Sequence, residues 1–367
     1  MSSQSIPKTV RNVKLSIVLD IGSSYTKCGF SGTSRPICII PSAFHSQAAN
    51  KVIYIENIIS KYEPFYYHLL KEFISVLYLR YLHVKSNEKK VTIVENMFMS
   101  KLLRDALAKI FFTVFDVPGL NFLPCLLSSF YVLGNQSALI LDCAHTHISA
   151  IAVYEHVPII SSFTFTNNSC RSVNKFILKE LRKCNDLEDV TISESDLDKI
   201  RTKFCILMDE NDEDDSITET EFLSSEGNKL SISKIIRKQA FIQLLDSSEG
   251  SIITLIDKVL QKVPITFRHI IANKLYFTGG LVHQDQFVPI VMQKLRKHLQ
   301  LNGSNLSRHL SYYNTPLGKP NYHAWLGGSI ASSLPSDLYK DIEMTKQEYM
   351  SVKTVPMRYD WLHSQFE

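Results

Sequence analysis

The sequence lacks a long run of basic residues, a closely spaced cysteine pair, an apolar stretch long enough to cross a bilayer and an apolar centre near its start. Each absence removes a class of function. The net charge is only +4 and the 40 basic residues are scattered, so no segment is built to neutralise a phosphate backbone and nucleic acid is not expected as a partner. The seven cysteines (Cys28, Cys38, Cys125, Cys143, Cys170, Cys184 and Cys205) form no CxxC pair and are odd in number. Most sit among apolar neighbours, as in Ile37-Cys38-Ile39-Ile40, which points to reduced, buried thiols. No apolar run reaches the roughly 18 residues of a membrane-spanning helix, and Met1–Lys14 is polar where a signal peptide would be apolar. A soluble intracellular protein, cytoplasmic or nuclear and without membrane insertion, is expected.

What is present suits two medium lobes around a shared cleft, because 367 residues exceed one small domain. Leu15–Leu19 reads as a buried strand ending on Asp20, followed by the turn Ile21-Gly22-Ser23-Ser24 and a second strand over Tyr25–Phe30. Cys38–Ile40 reads as a third strand, stopped by Pro41. Helical spacing of apolar residues runs over Tyr66–Leu82 and over Ser100–Phe115, with Ser100 as N-cap. Val91–Glu95 is a strand, and Leu126–Leu133 a helix ended by Gly134.

Ala138–Asp142 then repeats the opening theme, an apolar strand that delivers an aspartate into a turn, with a strand over Ile148–Tyr154 after it. The echo of Asp20 at Asp142 implies a duplicated unit. Further on, helices are expected over Val173–Arg182, Ile235–Leu245, Ile252–Val263 and Phe287–Leu299, and a strand over Lys274–Phe277. The acidic stretch at residues 209–215 reads as a solvated surface loop, and Tyr339–Glu367 as an amphiphilic tail anchored by Tyr349, Tyr359 and Trp361.

A tight turn of small residues after a strand can present backbone N–H groups to phosphate oxygens. Asp20, Gly22, Ser23 and Ser24 offer such a turn, with Lys27 on the next strand for a β- or γ-phosphate. Thr278-Gly279-Gly280 is a weaker signal alone, since paired glycines also allow close packing. Taken in order with Asp142, these segments resemble the actin-related protein family. Asp20–Ser23 with Lys27-Cys28-Gly29-Phe30 and Pro41-Ser42 resembles its first phosphate loop, and Asp142 the aspartate of the second. Phe277-Thr278-Gly279-Gly280 resembles the adenosine-side glycine pair, and Ala324-Trp325-Leu326-Gly327-Gly328-Ser329-Ile330 the family's tryptophan–glycine segment. The resemblance spans residues 15 to 330.

It implies an α/β, actin-like fold shared with sugar kinases and chaperone ATPases, two similar lobes around a nucleotide cleft, with a reduced outer subdomain in the first lobe. Residues 1–133 and 331–367 would form the first lobe and 134–330 the second. ATP or ADP would be a structural ligand of Asp20, Gly22, Ser23, Ser24, Lys27, Asp142, Thr278, Gly279 and Gly280. The similarity is strongest to members at the pointed end of the short actin-related filament of dynactin. That implies a cytoskeletal, non-enzymatic cap supporting dynein-driven microtubule transport. Its partners would be the adjacent filament subunit and other pointed-end proteins.

Departures from the family pattern matter equally. The second phosphate loop, Asp142-Cys143-Ala144-His145-Thr146, lacks both expected glycines, and Ser24 replaces one in the first. The positions matching the family's water-positioning glutamine and water-ordering histidine hold Cys125 and Ser149. Hydrolysis depends on orienting that water, so it should be very slow or absent, with no catalytic residue. Cys143, His145 and His147 share one strand face, but a zinc site needs a fourth ligand that no nearby residue supplies, and no metal is expected.

Finally, only Ala43–Phe65 stands where actin carries a whole small subdomain. A subunit with one competent longitudinal face ends a filament instead of extending it. Two other readings stay open: a nuclear actin-related subunit of a chromatin-remodelling complex, and a phosphotransferase of the same superfamily, against which the lost glycines argue.

Overall fold

The computed structural model describes residues 15–184, 192–207, 218–246, 249–314, 317–334 and 343–355. The acidic stretch 209–215, Tyr359 and Trp361 lie outside these residues. The chain divides into two units, Met1–Val132 with Tyr322–Glu367, and Leu133–Asn321.

The first unit opens with β1 (Ile17–Ile21), β2 (Tyr25–Phe30) and β3 (Cys38–Pro41), an antiparallel meander. A separate hairpin, β4 (Ala43–Ser46) and β5 (Lys51–Tyr54), leads into α1 (Ile55–Ser60). Then come α2 (Tyr67–Leu77), β6 (Val91–Glu95), α3 (Lys101–Thr113), β7 (Gly119–Pro124) and α4 (Cys125–Leu133). β6 and β7 are buried along their whole length, as expected of parallel strands covered on both faces. The Ser100 hydroxyl accepts from the Leu103 N–H at 3.2 Å and caps α3 as its sequence predicts.

The second unit repeats the plan with β8 (Ala138–Cys143), β9 (Ile148–Tyr154) and β10 (Val157–Thr166), again an antiparallel meander. It continues through α5 (Cys170–Cys184), α6 (Glu194–Lys203), the hairpin β11 (Thr220–Leu223) and β12 (Lys229–Ile232), and α7 (Lys234–Gln239). It closes with α8 (Ile242–Leu245), α9 (Ile252–Lys262), α10 (Ile265–Ala272), β13 (Leu275–Thr278) and α11 (Phe287–Leu301). The chain then re-enters the first unit with α12 (His323–Ala331), β14 (Met344–Thr345) and α13 (Lys346–Val352).

The sheets are ordered β14-β7-β6-β1-β2-β3 and β10-β9-β8-β13. In each, the first strand of a meander is flanked on its free side by a parallel strand, β6 beside β1 and β13 beside β8. This duplicated topology is the structural form of the aspartate echo.

α12 belongs to the first unit because it packs on β1 and β6, so the second unit ends at Asn321 and not at residue 330 as expected from sequence. Trp325 is fully buried and its indole N–H donates to the Val18 carbonyl at 2.9 Å. Gly327 lets the helix lie directly on the Ser128 carbonyl, where any Cβ would collide with backbone.

Several elements differ from expectation. The helix over Tyr66–Leu82 divides into a 3₁₀ turn (Pro64–Tyr66), α2 and a widened π turn (Tyr78–Leu82) that stops on left-handed His83, φ 50°. The expected helix over Ile235–Leu245 is two short ones, interrupted at Ala240 and Phe241. Among the described residues no helix is long and apolar enough to cross a membrane.

Candidate functional site

The two aspartates occupy the same place in the two units. In the first, Ile21 pairs with Thr26 and four residues separate them, Gly22 to Tyr25. In the second, Cys143 pairs with Ile148 and again four residues intervene, Ala144 to His147. Each aspartate stands one residue before the last paired position of its strand. Asp20 lies opposite Lys27, and Asp142 opposite Ser149. The parallel neighbour places Val94 beside Asp20 and Thr278 beside Asp142.

What surrounds each aspartate is very different. Around Asp20, the Lys27 ammonium donates to the carboxylate at 2.9 Å, with both side chains about 15% exposed. The pair fixes the lysine beside the turn as a charge-assisted hydrogen bond. Gly22, Ser23 and Ser24 are half-buried. Ser42, buried at the end of β3, holds this turn shut. Its hydroxyl donates to the Gly22 carbonyl at 2.6 Å, its N–H donates to the Ser24 carbonyl at 2.8 Å, and Thr26 Oγ1 lies 2.8 Å from its Oγ. No residue of Gly22–Tyr25 is left-handed, so Ser24 sits here without backbone strain.

The Asp142 turn also closes without a left-handed residue, so Ala144 and Thr146 sit in it without backbone strain. It folds back onto the start of α5: the His145 carbonyl accepts from Ser169 Oγ and from the Arg171 N–H, both at 2.9 Å. Burial pushes the His147 imidazole down to about 4, and Thr146 Oγ1 lies 2.9 Å from its Nδ1. Burial also lowers His145, against the opposing pull of Asp198 and Glu194. Both imidazoles are therefore neutral at pH 7 and bring no cation to the turn. Ser149, at the position equivalent to Lys27, is fully buried, and its hydroxyl has no hydrogen-bond partner among the described residues.

Thr278, Gly279 and Asp142 come together in the second unit. Thr278 Oγ1 and the Gly279 N–H both donate to the Pro320 carbonyl, at 3.1 and 3.0 Å. Gly279 has φ +100°, and a Cβ there would lie 2.5 Å from the Cys143 carbonyl oxygen and 2.8 Å from Asp142 Oδ1. Its role is thus to let β13 approach the aspartate turn. Gly280 is exposed and a Cβ on it would meet nothing within 4 Å.

Asp20, Gly22, Ser23, Ser24 and Lys27 form one group in the first unit; Asp142, Thr278, Gly279 and Gly280 lie together in the second. Cys143 points into the second unit's core while His147 lies buried in the turn. Among the described residues no cluster of His, Cys, Asp and Glu is placed to hold a metal. Cys125 is the buried first residue of α4.

Sequence reasoning named Ser42 without its clamping role and missed two contributors, the Pro320 carbonyl and a largely buried network beneath the second turn. In that network Asn174 donates to Asp198 and Glu194 at 3.1 Å each, and Arg201 donates to Asp198 at 2.7 Å and to Asn174 at 3.1 Å. Only the presence of charges at core spacing in Glu194–Lys203 could have signalled it.

The sequence profile of the actin family matches residues 12–220 of this chain. Actin-related protein 10 of Dictyostelium discoideum is 24% identical over 92% of this chain and 86% of its own length. Putative actin-29 of the same organism is 25% identical over 73% of this chain and 72% of its own.

Proposed function

Because the chain belongs to the actin family, with an actin-like α/β fold, we propose that it is a non-enzymatic structural subunit that caps the pointed end of an actin-related filament. The filament is that of dynactin, and the activity serves dynein-driven transport in the cytoplasm. The partners are the terminal filament subunit and the other pointed-end proteins. The similarity to actin-related protein 10 supports a structural role of this kind.

The observation that carries the proposal is the segment between Ser42 and α2. β4, β5 and α1 fill it and lie down on the first unit: Phe44, Ile53, Ile55 and Ile58 are all buried in its core. Ser46 Oγ and the Gln47 N–H donate to the two oxygens of Glu72 on α2, at 2.7 and 2.8 Å, and hold the hairpin tip down. A tip bound to its own unit is not available to enter a neighbouring subunit. Heterologous contacts propagate only while both faces remain, so a chain that has lost one ends the polymer.

The same reading makes the chain a degenerate ATPase. The Asp20 turn with Lys27 suits a phosphate of ATP or ADP held as a structural ligand. Phosphoryl transfer would need an oriented water and cationic stabilisation of developing charge. Cys125 is a buried thiol, Ser149 is sealed in the core, and the imidazoles beside Asp142 are neutral. These residues support retention of nucleotide but not its hydrolysis.

Titrating the chain onto preassembled actin-related filaments tests the cap. Saturation at one copy per filament is expected. Decoration along the length, or no binding, would overturn the proposal.

A further inference from the structure

Cys28 and Cys38 stand directly opposite each other on β2 and β3, with their sulfurs 3.0 Å apart. The nearby bond from the Ser42 N–H to the Ser24 carbonyl fixes the phase of this ladder. Counting by twos from it, Thr26–Ile40 and Cys28–Cys38 are the hydrogen-bonded pairs, and Lys27–Ile39 and Tyr25–Pro41 the others. Pro41 accordingly lacks its N–H on the side facing away from β2, which an edge strand tolerates. A hydrogen-bonded antiparallel pair holds its Cα atoms about 5.5 Å apart, within the range that a disulfide spans. Closing the sulfurs to about 2.05 Å requires a movement of only about 1 Å.

We infer that Cys28 and Cys38 are a reversible thiol–disulfide site, oxidised by a hydroperoxide, that ties the edge strand β3 to β2 beside the Asp20–Lys27 turn. The two thiols are unequally placed for this chemistry. Cys28 is fully buried on the core face, whereas Cys38 is half-buried on β3, which pairs with β2 alone in its sheet. The hydrogen bond between the two sulfurs holds the Cys38 thiol below the ordinary value and pushes Cys28 up. Cys38 is thus the attacking sulfur and Cys28 the resolving one.

The steps balance. The Cys38 thiolate attacks one oxygen of hydrogen peroxide, the O–O bond breaks, and Cys38 becomes a sulfenic acid; the hydroxide that leaves takes up the proton released by the Cys38 thiol and departs as water. The Cys28 sulfur then displaces the sulfenic oxygen, which departs with the Cys28 proton as a second water, and the S–S bond forms. Two electrons pass from the thiols to the peroxide. A dithiol reductant reverses the reaction by exchange.

The other cysteines provide an internal comparison. Cys143 and Cys170 are buried in the second unit with thiols pushed up by burial, and Cys184 is exposed without a cysteine partner in contact. The test treats the full-length chain with stoichiometric hydrogen peroxide, alkylates remaining thiols, and maps linked peptides before and after dithiothreitol. One Cys28–Cys38 crosslink that dithiothreitol removes is expected. It should be absent in C38S and in C28S and unchanged in C184S. Should C28S fold poorly, C38S alone decides, because its residue is on the sheet edge. Amide exchange over Cys38–Ile40 should slow on the order of tenfold or more on oxidation, since the crosslink suppresses edge opening. Oxidation of Cys184 with Cys28 and Cys38 still reduced would overturn the inference, as would irreversible overoxidation of Cys38 with no crosslink.

Discussion

Replacing Gly279 with alanine separates what the glycine pair does for the fold from what it could do for a ligand. At φ +100° an L-residue is strained by about 1–3 kcal/mol. The new Cβ would also press on the Cys143 carbonyl at 2.5 Å and on Asp142 Oδ1 at 2.8 Å. Both belong to a turn fixed to α5 through the His145 carbonyl, so relaxation is resisted and overpacking adds roughly 1–3 kcal/mol. The expected cost is about 2–6 kcal/mol, centred on the second unit. Gly280→Ala is the control: its backbone is helical (φ −70°, ψ −32°) and the Cβ meets open space. That change should be neutral or stabilise by up to about 1 kcal/mol through the unfolded chain. With two units in the chain a single unfolding midpoint is ambiguous, so amide exchange over Leu139–Cys143 and Leu275–Thr278 is the better readout. G279A should raise exchange there and leave β1 and β2 unchanged. Equal effects of the two substitutions, or a G279A cost below about 0.5 kcal/mol, would refute the packing argument.

The second unit should lose stability in acid through His147. Its imidazole falls from the ordinary 6.5 to about 4 in the folded chain, so the unfolded state binds more protons between those values. The contribution is complete above about pH 6.5 and lost as pH falls through about 4, roughly 3 kcal/mol in all; H147Q should flatten the pH dependence of unfolding in that window. Glu72→Ala removes both acceptors of the β4–β5 hairpin and should cost about 1–3 kcal/mol, with proteolysis shifting to residues 47–50. Trp325→Phe removes the indole donor to the Val18 carbonyl and should cost about 0.5–1.5 kcal/mol for that bond, read by thermal unfolding of the first unit. Released nucleotide, identified by chromatography from freshly purified protein, should be ATP or ADP, and added ATP should turn over far more slowly than on polymerising actin.

The aspartate echo was legible because both strands are unbroken apolar runs that end on a charge. β10 was not, since Pro158 and the Ser161-Ser162 pair break its alternation, and its register does shift between Ile159 and Thr164. β7 was hidden by its own ends, Gly119 and Pro124, although every residue in it is buried. α6 was missed because its buried positions include Asp196, Asp198 and Arg201, and polarity at core positions reads as surface until the partners are seen. At the site, strand pattern placed Asp20, Lys27 and Asp142, since cross-strand position follows from counting. The work of Ser42 and the packing role of Gly279 depend on contacts between residues far apart in sequence, which no local pattern encodes.

The central claim is that one longitudinal face survives and the other is gone. Single-filament microscopy of the actin-related polymer, with the chain labelled and supplied in slight excess over filament ends, tests it most directly. The account predicts one label at one end of each filament, growth arrested at that end and continuing at the other. Growth past the label, or label incorporated along the filament, would contradict it.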